Sequence, residues 1–416
     1  MSRRNFILLL IVLVVIGVIL LFLFAINPSS QNNGDNGGGF FSNLNPFGKT
    51  TAVKPKTPTN QTGDNNIPNT PQGETTPIKL IKISTMPIAG YTVFPKEKVA
   101  GESHPALRYV DRATGNIYQT FADDVKERKF SNTLIPKVYE ALFGNDGNTV
   151  IMRYLKADNR TIQTFIGSLP IEKLGDDSII TSDVQGTFLP DNISDISISP
   201  DGTKAFYLLE HNDGVVGIVM NLTDSKKTQI FDSPFTEWLS SWLGDKNVNL
   251  TTKAASVFGG YVYNIDINKK VPMKTLGAIN GLTSLANPNG KSIIFSDNTL
   301  STKTYDLSTR ESNTLSVNTL PEKCIWDKMG VNIYCAVPKN TGSFSYPDSW
   351  YQGETSFNDQ IWKIDTSTNT ANFLIDPSTV TGEEVDGIKL MLDQNENFLF
   401  FVNKKDSFLW ELDLRN

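Results

Sequence analysis

The sequence is poor in the residues that build most metal and redox sites. Among its 416 residues are two cysteines, Cys324 and Cys335, and two histidines, His104 and His211. So small a supply argues against a histidine-rich metal enzyme or a zinc-ribbon module, which draw their ligands from these residue types. We therefore expect no metal or other cofactor.

Charge is also scarce, and its balance is slightly negative. Charged residues make up 20% of the chain, and 38 Lys and Arg against 44 Asp and Glu give a formal charge of −6. A nucleic-acid-binding protein needs a basic face to meet phosphates, so we expect no nucleic-acid partner. The common nucleophile-elbow, zinc-protease, phosphate-loop and dinucleotide motifs are also missing from the sequence.

One long apolar run is present, at residues 6–26. As a helix these 21 residues would span about 30 Å, the thickness of a hydrocarbon core. Arg3 and Arg4 precede the run, and the next basic residue is Lys49. The positive-inside rule then predicts that residues 1–5 lie in the cytoplasm and that the rest of the chain lies outside it. The alternative is a cleaved signal peptide, whose apolar region is usually about 7–15 residues; the longer run favours an uncleaved membrane anchor.

Residues 27–77 differ in composition from the remainder of the chain. Asn, Gly, Thr, Pro, Ser and Gln supply 38 of these 51 residues. Such a segment cannot bury enough apolar surface to offset its ordering entropy, which predicts a flexible linker. From residue 78 onward, short β-rich runs alternate with turn residues, and this pattern predicts an all-β domain over residues 78–416.

A hairpin of similar sequence recurs in this domain, with two apolar strands around a turn rich in Asp, Asn and Gly. Its copies are EALFGNDGNTVIM from Glu140, ISISPDGTKAFY from Ile196, SLANPNGKSIIF from Ser284 and KLMLDQNENFLFFV from Lys389. A second signature is an apolar pair followed by Asp or Asn and a turn rich in Thr and Ser. It occurs at Asp111, Asn221, Asp266, Asp306, Asp365 and Asp413.

The spacing of these repeats, about 40 to 60 residues, is typical of β-propeller blades. We count seven units and predict a seven-bladed β-propeller; six or eight blades and a β-sandwich are the alternatives. The last unit is one strand short, and residues 79–83 form an isolated apolar stretch. Pairing this stretch with the last blade would close the ring and remove two exposed sheet edges.

The repeats resemble those of WD-like and TolB-type propellers. Local matches are residues 87–90 (PIAG), 281–283 (GLT) and 319–324 (TLPEKC). The layout as a whole resembles the membrane-anchored, extracytoplasmic propeller proteins of bacteria, most of them uncharacterised. This resemblance implies a fold and a cellular location, and it implies no reaction.

The two cysteines flank a predicted hairpin. If Met329 and Gly330 occupy its turn, Cys324 and Cys335 are directly opposite each other, at a Cβ separation of about 4.5–5.5 Å that a twisted ribbon can bring to disulfide geometry. Outside the cytoplasm such a pair is expected to be oxidised. The alternative is two buried free thiols.

An insertion interrupts the sixth unit at residues 339–360, between its second and third predicted strands. It carries aromatic residues among polar neighbours, and these suit stacking on a sugar ring or anchoring a protein partner. The alternative is that the rings fold back over their own blade. The candidate partner-binding residues are Phe344, Tyr346, Trp350, Tyr351 and Phe357.

The sequence leaves three functions open. The first is a non-enzymatic binding or scaffold module, tethered outside the membrane, for an envelope protein or a cell-wall glycan. The second is a propeller hydrolase, such as a glycosidase or lactonase, with carboxylates in its channel. The third is a structural part of a larger envelope complex. The carboxylates that could converge are Glu140, Asp195, Glu237, Glu322, Asp327 and Asp386.

Overall fold

The computed structural model describes residues 79–99, 102–122, 124, 126–170 and 183–415. Within these ranges no helix has the length and apolar character needed to cross a membrane. The predicted anchor at residues 6–26 and the predicted linker at residues 27–77 lie outside the described residues.

The described residues form seven four-stranded antiparallel sheets, so the prediction of a seven-bladed β-propeller is confirmed. Blades 1 to 3 contain β2 (Ile88–Val99), β3 (Glu102–Asp111), β4 (Ile117–Phe121), β5 (Arg128–Lys129); β6 (Val138–Gly144), β7 (Thr149–Leu155), β8 (Ile162–Ser168), β9 (Gln185–Phe188); and β10 (Ile193–Ile198), β11 (Lys204–His211), β12 (Gly214–Asn221), β13 (Lys227–Ser233). Blades 4 and 5 contain β14 (Trp238–Leu243), β15 (Asn247–Thr252), β16 (Gly259–Asp266), β17 (Pro272–Asn280); and β18 (Thr283–Ala286), β19 (Ser292–Ser296), β20 (Ser301–Asp306), β21 (Ser312–Asn318).

Blade 6 begins after a short 3-10 helix (Pro321–Lys323). It contains β22 (Cys324–Trp326), β23 (Asn332–Pro338), β24 (Asp359–Asp365) and β25 (Thr370–Ile375). Two short helices accompany the last blades, α1 (Asp348–Tyr351) and α2 (Pro377–Thr381). Blade 7 contains β26 (Gly387–Leu392), β27 (Phe398–Asn403) and β28 (Leu409–Asp413), and its outer strand is β1 (Leu80–Lys82).

The ring closes as the sequence predicted. β1 pairs with β28, with Leu80 opposite Leu412 and Lys82 opposite Trp410. Leu80, Leu412 and Trp410 are buried in one apolar cluster, which gives this short strand a hydrophobic reason to dock. The first described strand therefore completes the last blade.

The four recurring hairpins are the first and second strands of blades 2, 3, 5 and 7. The outer strands were harder to recognise. In blade 2 the outer strand β9 pairs with β8 as far as Phe188. All four residues of β9 are exposed, so that strand lacks the alternation of apolar and polar residues on which the prediction relied.

The Asp and Asn signature corresponds to one type of turn. Asp306 Oδ1 accepts hydrogen bonds from the Ser308 hydroxyl at 2.6 Å and from the N–H groups of Ser308 and Thr309 at 2.8 and 2.9 Å. The hydroxyl bond first, and then the two N–H bonds, lower the pKa of Asp306. Arg310 then adopts a positive φ of 63° to end the turn. In blade 1 the same turn begins at Asp111, but there it comes after the second strand instead of the third. The signature thus identifies the turn and not its place in the blade. Similar side-chain bonds are made by Asn221, Asp266 and Asp365.

The core consists of apolar clusters between neighbouring blades. Trp238 and Trp242, for example, are 7% and 6% exposed between blades 3 and 4. The cysteine prediction is also confirmed: Cys324 lies opposite Cys335 in the β22–β23 pair, and the two form a disulfide with a Cα–Cα distance of 4.1 Å.

Candidate functional site

One end of the propeller carries the connections between blades together with the loops between second and third strands; we call it the connection face. In six blades these loops contain two to six residues, whereas in blade 6 the loop contains twenty, residues 339–358. The insertion therefore lies where the sequence placed it. It is a feature of the connection face that the other six blades lack.

The central channel opens on this face through a cavity of about 770 Å³, which we call the channel mouth. Its wall is formed by the first strands of the blades, near the residue at which each begins, and by Tyr351 from the insertion. The charged residues of this wall are Glu140, Asp195, Lys253, Glu322 and Lys389.

Three of the six predicted carboxylates, Glu140, Asp195 and Glu322, meet at the channel mouth. The other three do not. Glu237 is exposed and forms an ion pair with Lys253 at 3.0 Å. Within the described ranges no group of three Asp, Glu, His or Cys side chains could hold a metal ion.

Asp327 and Asp386 have other roles. Asp327 lines the opposite end of the channel, where its Oδ1 accepts a hydrogen bond from Val331 N at 2.8 Å and stabilises the β22–β23 turn. Asp386 is fully buried away from the channel mouth. The prediction that all six carboxylates converge is therefore wrong, because two are used in local structure and a third is exposed at the surface.

The two carboxylates Asp195 and Glu322 bind only neutral partners. Asp195 Oδ2 accepts hydrogen bonds from both the backbone N and the Oγ of Ser240, each at 2.6 Å. Glu322 Oε1 accepts a short hydrogen bond from the Tyr351 hydroxyl. Burial is the main cause that raises the pKa of each carboxyl above its ordinary value, against the effect of these hydrogen bonds.

Lys389 is the cation of this wall that lacks an ion pair. Its Nζ donates to the backbone oxygen of Ala89 at 2.9 Å. Although solvent in the channel reaches the side chain, the surrounding protein lowers its pKa. The Coulombic effect of Glu140 opposes this lowering only in part, and the Oε2 atom of Glu140 is held by Arg153.

Next to Glu322 in sequence, Lys323 belongs to a separate cluster that is fully buried. Its Nζ contacts Asp359 Oδ2 at 2.7 Å and makes a shorter contact with Asp386 Oδ1, and it also donates to the Gly387 oxygen at 3.1 Å. All three charged side chains have no exposed surface. Burial is the main cause that raises the pKa of Asp359 to about 6, partly offset by Lys323.

The insertion is folded over this buried cluster. Trp350 Nε1 and Phe357 N both donate to Asp386 Oδ2, at 2.9 and 3.1 Å. Tyr346, Trp350 and Phe357 are buried in one cluster with Leu300. Three of the five candidate partner-binding rings are therefore covered, as in the alternative that the rings fold back over their own blade.

The other two rings of the predicted surface are accessible to different degrees. Phe344 is 48% exposed, and Tyr351 is half-buried at the channel mouth. The rings fold inward because Asp386 supplies an acceptor for the indole N–H and for a backbone N–H. That partner is 36 residues from Trp350 in sequence, so the aromatic spacing alone could not reveal it.

A second cavity, of about 600 Å³, opens between blades 3 and 4; we call it the blade 3–4 cleft. Two rings at its edge, Phe235 in the connection between the blades and Phe258 in the β15–β16 loop, are 71% and 73% exposed. Val257, next to Phe258, is 71% exposed. The aromatic residues lining the cleft are Phe231, Phe235, Trp238, Phe258, Tyr261 and Tyr263.

Most polar groups of the cleft are already engaged. Trp238 Nε1 donates to Ser233 Oγ at 3.3 Å, and Tyr261 N donates to Thr252 Oγ1 at 2.9 Å. Lys253 is occupied by its ion pair with Glu237. The Asp232 carboxylate and the Tyr261 and Tyr263 hydroxyls have no hydrogen-bond partner in the described residues, but the lining is mainly apolar and aromatic, which suits an apolar ligand group.

The sequence analysis missed both this cleft and the grouping of Asp195, Glu322 and Lys389. The cleft had a signal: Pro234-Phe235 and Val257-Phe258 place large apolar residues in loops, where polar residues are the norm. The charged grouping had a partial signal, because Asp195 and Glu322 were among the carboxylates that could converge in the channel; the contribution of Lys389 from blade 7 was not foreseen.

Comparison with known proteins adds little. No family model matches the chain, and no curated protein does either. Among solved structures, a Mycobacterium tuberculosis puromycin-hydrolyzing peptidase aligns over 75% of this chain at 13% identity, with a TM-score of 0.44. The chain spans half the length of that peptidase. A structure of the mitotic checkpoint complex contains a chain that aligns over 88% of this chain and 99% of its own length, at 11% identity and a TM-score of 0.48. At these values neither likeness bears on function.

Proposed function

We propose that this protein is a non-enzymatic binding or scaffold module, held outside the cytoplasm by residues 6–26, and that it binds a protein partner through the blade 3–4 cleft. The observation that carries the proposal is the exposure of Phe235, Val257 and Phe258 around a preformed aromatic cavity. Grouped exposed apolar residues of this kind mark interaction sites, whereas single ones are normal at a surface.

The chemistry of the cleft favours an apolar side chain of a protein over a cell-wall glycan. A sugar brings several hydroxyl groups, each of which needs a hydrogen-bond partner once it is removed from water. The Ser233 and Thr252 oxygens already accept hydrogen bonds from the propeller. A Leu, Phe or Trp side chain of a partner makes no such demand beyond one indole N–H, and aromatic pockets are common anchors for these residues.

The proposed location has two supports. The apolar run with Arg3 and Arg4 before it matches the positive-inside pattern. The disulfide between Cys324 and Cys335 is typical of oxidising compartments outside the cytoplasm. Digestion of spheroplasts with an added protease tests the orientation: we expect an epitope tag after residue 416 to be removed, and its full protection would contradict this part of the proposal.

Photo-crosslinking tests the cleft. A photoreactive amino acid at position 258 or 235 of the full-length protein, in intact cells, should give one discrete protein adduct. The same amino acid at position 188 or 329 should not, although Phe188 and Met329 are also exposed, at 53% and 74%.

A second variant separates binding from mere proximity. Phe235→Ser combined with Phe258→Ser should abolish the adduct formed from position 257 while leaving the melting temperature unchanged, since both rings are exposed. Equal adducts from all positions would argue against the cleft, and so would capture of glycan alone. Turnover in a glycosidase and lactonase panel that is lost in Asp195→Asn or Glu322→Gln would favour the hydrolase alternative.

A further inference from the structure

The channel mouth presents three charged side chains that form no ion pair within the described part of the chain. They are Asp195, Glu322 and Lys389, and their hydrogen bonds go to neutral groups. The other two charged wall residues differ, because Glu140 pairs with Arg153 and Lys253 pairs with Glu237. Two carboxylates and one ammonium of the channel mouth therefore have no ion-pair partner of their own within the described residues.

Such an arrangement is unfavourable for the protein alone. Charged groups removed from bulk water are normally paired, and an unpaired one is pushed towards its neutral form. Desolvation by the surrounding protein raises the pKa of Asp195 and of Glu322. It also lowers the pKa of Lys389, although this side chain is open to solvent in the channel. Titratable groups perturbed in this way and lining one cavity are typical of functional sites.

The backbone at Lys389 adds a second irregularity. This residue adopts a φ of 53°, in the left-handed region that lysine rarely occupies. It lies in a bulge of β26, between the paired residues Ile388 and Met391. Bulges of this kind are common next to binding and catalytic sites, where they redirect a side chain.

We propose that the channel mouth binds a small zwitterion, a molecule with an ammonium and a carboxylate group such as an amino acid or a short peptide. Its ammonium group would interact with Asp195 and Glu322, and its carboxylate with Lys389. Each group of the ligand then supplies the counter-charge that the wall lacks. The cavity of about 770 Å³ is within the usual range for small-ligand pockets.

The blade 6 insertion completes this pocket. Tyr351 lies in its wall, and the Tyr351 hydroxyl holds Glu322. At the other end of α1, Asp348 Oδ2 accepts hydrogen bonds from Ser256 N and Oγ at 2.9 and 2.6 Å, so the insertion reaches blade 4. The loop that the other blades lack is thus the one that positions a ligand-facing carboxylate.

The test is a thermal-shift titration of the full-length protein in detergent. The probes are L-alanine, L-lysine and glycylglycine as zwitterions, n-butylamine and acetate as single charges, and glucose as a neutral molecule. We expect at least one zwitterion to raise the melting temperature in a saturable way. No shift by any zwitterion would overturn the proposal, as would an equal shift by n-butylamine, acetate or glucose.

Single substitutions then locate the site. Asp195→Asn, Glu322→Gln and Lys389→Met should each weaken the binding of the active probe about tenfold or more, because each removes a charged hydrogen-bond partner. Glu210→Gln removes an exposed carboxylate near the β11–β12 loop of the same face, which within the described residues neither lines the cavity nor pairs with a wall residue, and it should not change binding. Wild-type affinity in all three cavity variants would also overturn the proposal. The two cavities share Lys253 in their linings, but Asp195, Glu322 and Lys389 line only the channel mouth, so failure here leaves the proposed protein partner unaffected.

Discussion

Two adjacent residues of one 3-10 helix face opposite environments. Lys323 points into the interior, where Asp359 and Asp386 neutralise it completely. Glu322 points to the channel mouth, where it meets only the Tyr351 hydroxyl. A charge that serves the fold is paired and covered, whereas a charge left unpaired beside a cavity is available to a ligand. This contrast predicts that replacing a paired, buried charge lowers the stability of the fold. Replacing an unpaired charge at the channel mouth should weaken ligand binding and change the stability little.

The largest effect is expected at Lys323. Lys323→Met should lower the free energy of unfolding by about 3–5 kcal/mol, because it leaves two carboxylates buried without a cation. Chemical denaturation of the purified protein measures this loss. Lys389→Met is the matched control, and we expect it to change stability by less than about 1 kcal/mol, since Lys389 has no ion pair to lose within the described ranges. If both substitutions lowered the free energy of unfolding by the same amount, the proposed distinction between paired and unpaired lysines would be wrong.

The disulfide beside this helix should have the next largest effect. Replacing Cys324 and Cys335 together by Ala should cost about 2–3 kcal/mol, the loop-closure contribution of a short cross-link. Denaturation of the double variant, without reductant, measures it. The wild type under reducing conditions that open the bond should lose a similar amount. Unchanged stability in both experiments would mean that the disulfide does not constrain the unfolded chain.

The buried cluster should also make stability depend on pH. The folded-state pKa of Asp359 is about 6, above its ordinary 3.8, so the folded state binds this proton more tightly than the unfolded state. The stabilisation is fully present below about pH 4 and is lost as the pH rises through 6, to an extent on the order of 3 kcal/mol. Melting temperatures should therefore fall mainly between about pH 4 and 6.

Asp359→Asn is the matched control for that pH dependence. It removes the titrating group while keeping an oxygen that can accept the hydrogen bond from Gly387 N. Carboxylates with lowered pKa values, such as Asp158 and Asp201 at about 2, destabilise the fold only in more acidic solution and do not affect this window. An identical pH profile in the variant would assign the dependence to other groups.

The sequence predicted those parts of the structure that depend on local pattern or on pairing register. Alternating apolar residues indicated the hairpins, the missing strand indicated the closure by β1, and counting from a turn indicated the Cys324–Cys335 pair. The parts that it could not predict depend on long-range contacts. The aromatic insertion was identified, but the burial of Trp350 depends on a bond to Asp386 that local periodicity does not encode.

The same limit applies to the channel mouth. Asp195 and Glu322 were candidates because each lies near the start of a predicted first strand, where side chains reach the channel. Lys389 was not considered, because only carboxylates and metal ligands were sought there. A search for both signs of charge at the equivalent position of each blade would have included it.

The smallest effect concerns the bond that links the insertion to the channel wall. Tyr351→Phe should cost about 1 kcal/mol of stability, the usual contribution of one hydrogen bond. It should also raise the Kd of the zwitterion that binds, because Glu322 loses the group that orients it. Tyr261→Phe is the control, since the Tyr261 hydroxyl has no hydrogen bond in the described ranges. If Tyr351→Phe lowers stability but leaves ligand affinity unchanged, the insertion supports blade 6 without contributing to the pocket. The hydrogen bond to Glu322 would then stabilise the fold, as the ion pairs of Lys323 do, and would have no part in ligand binding.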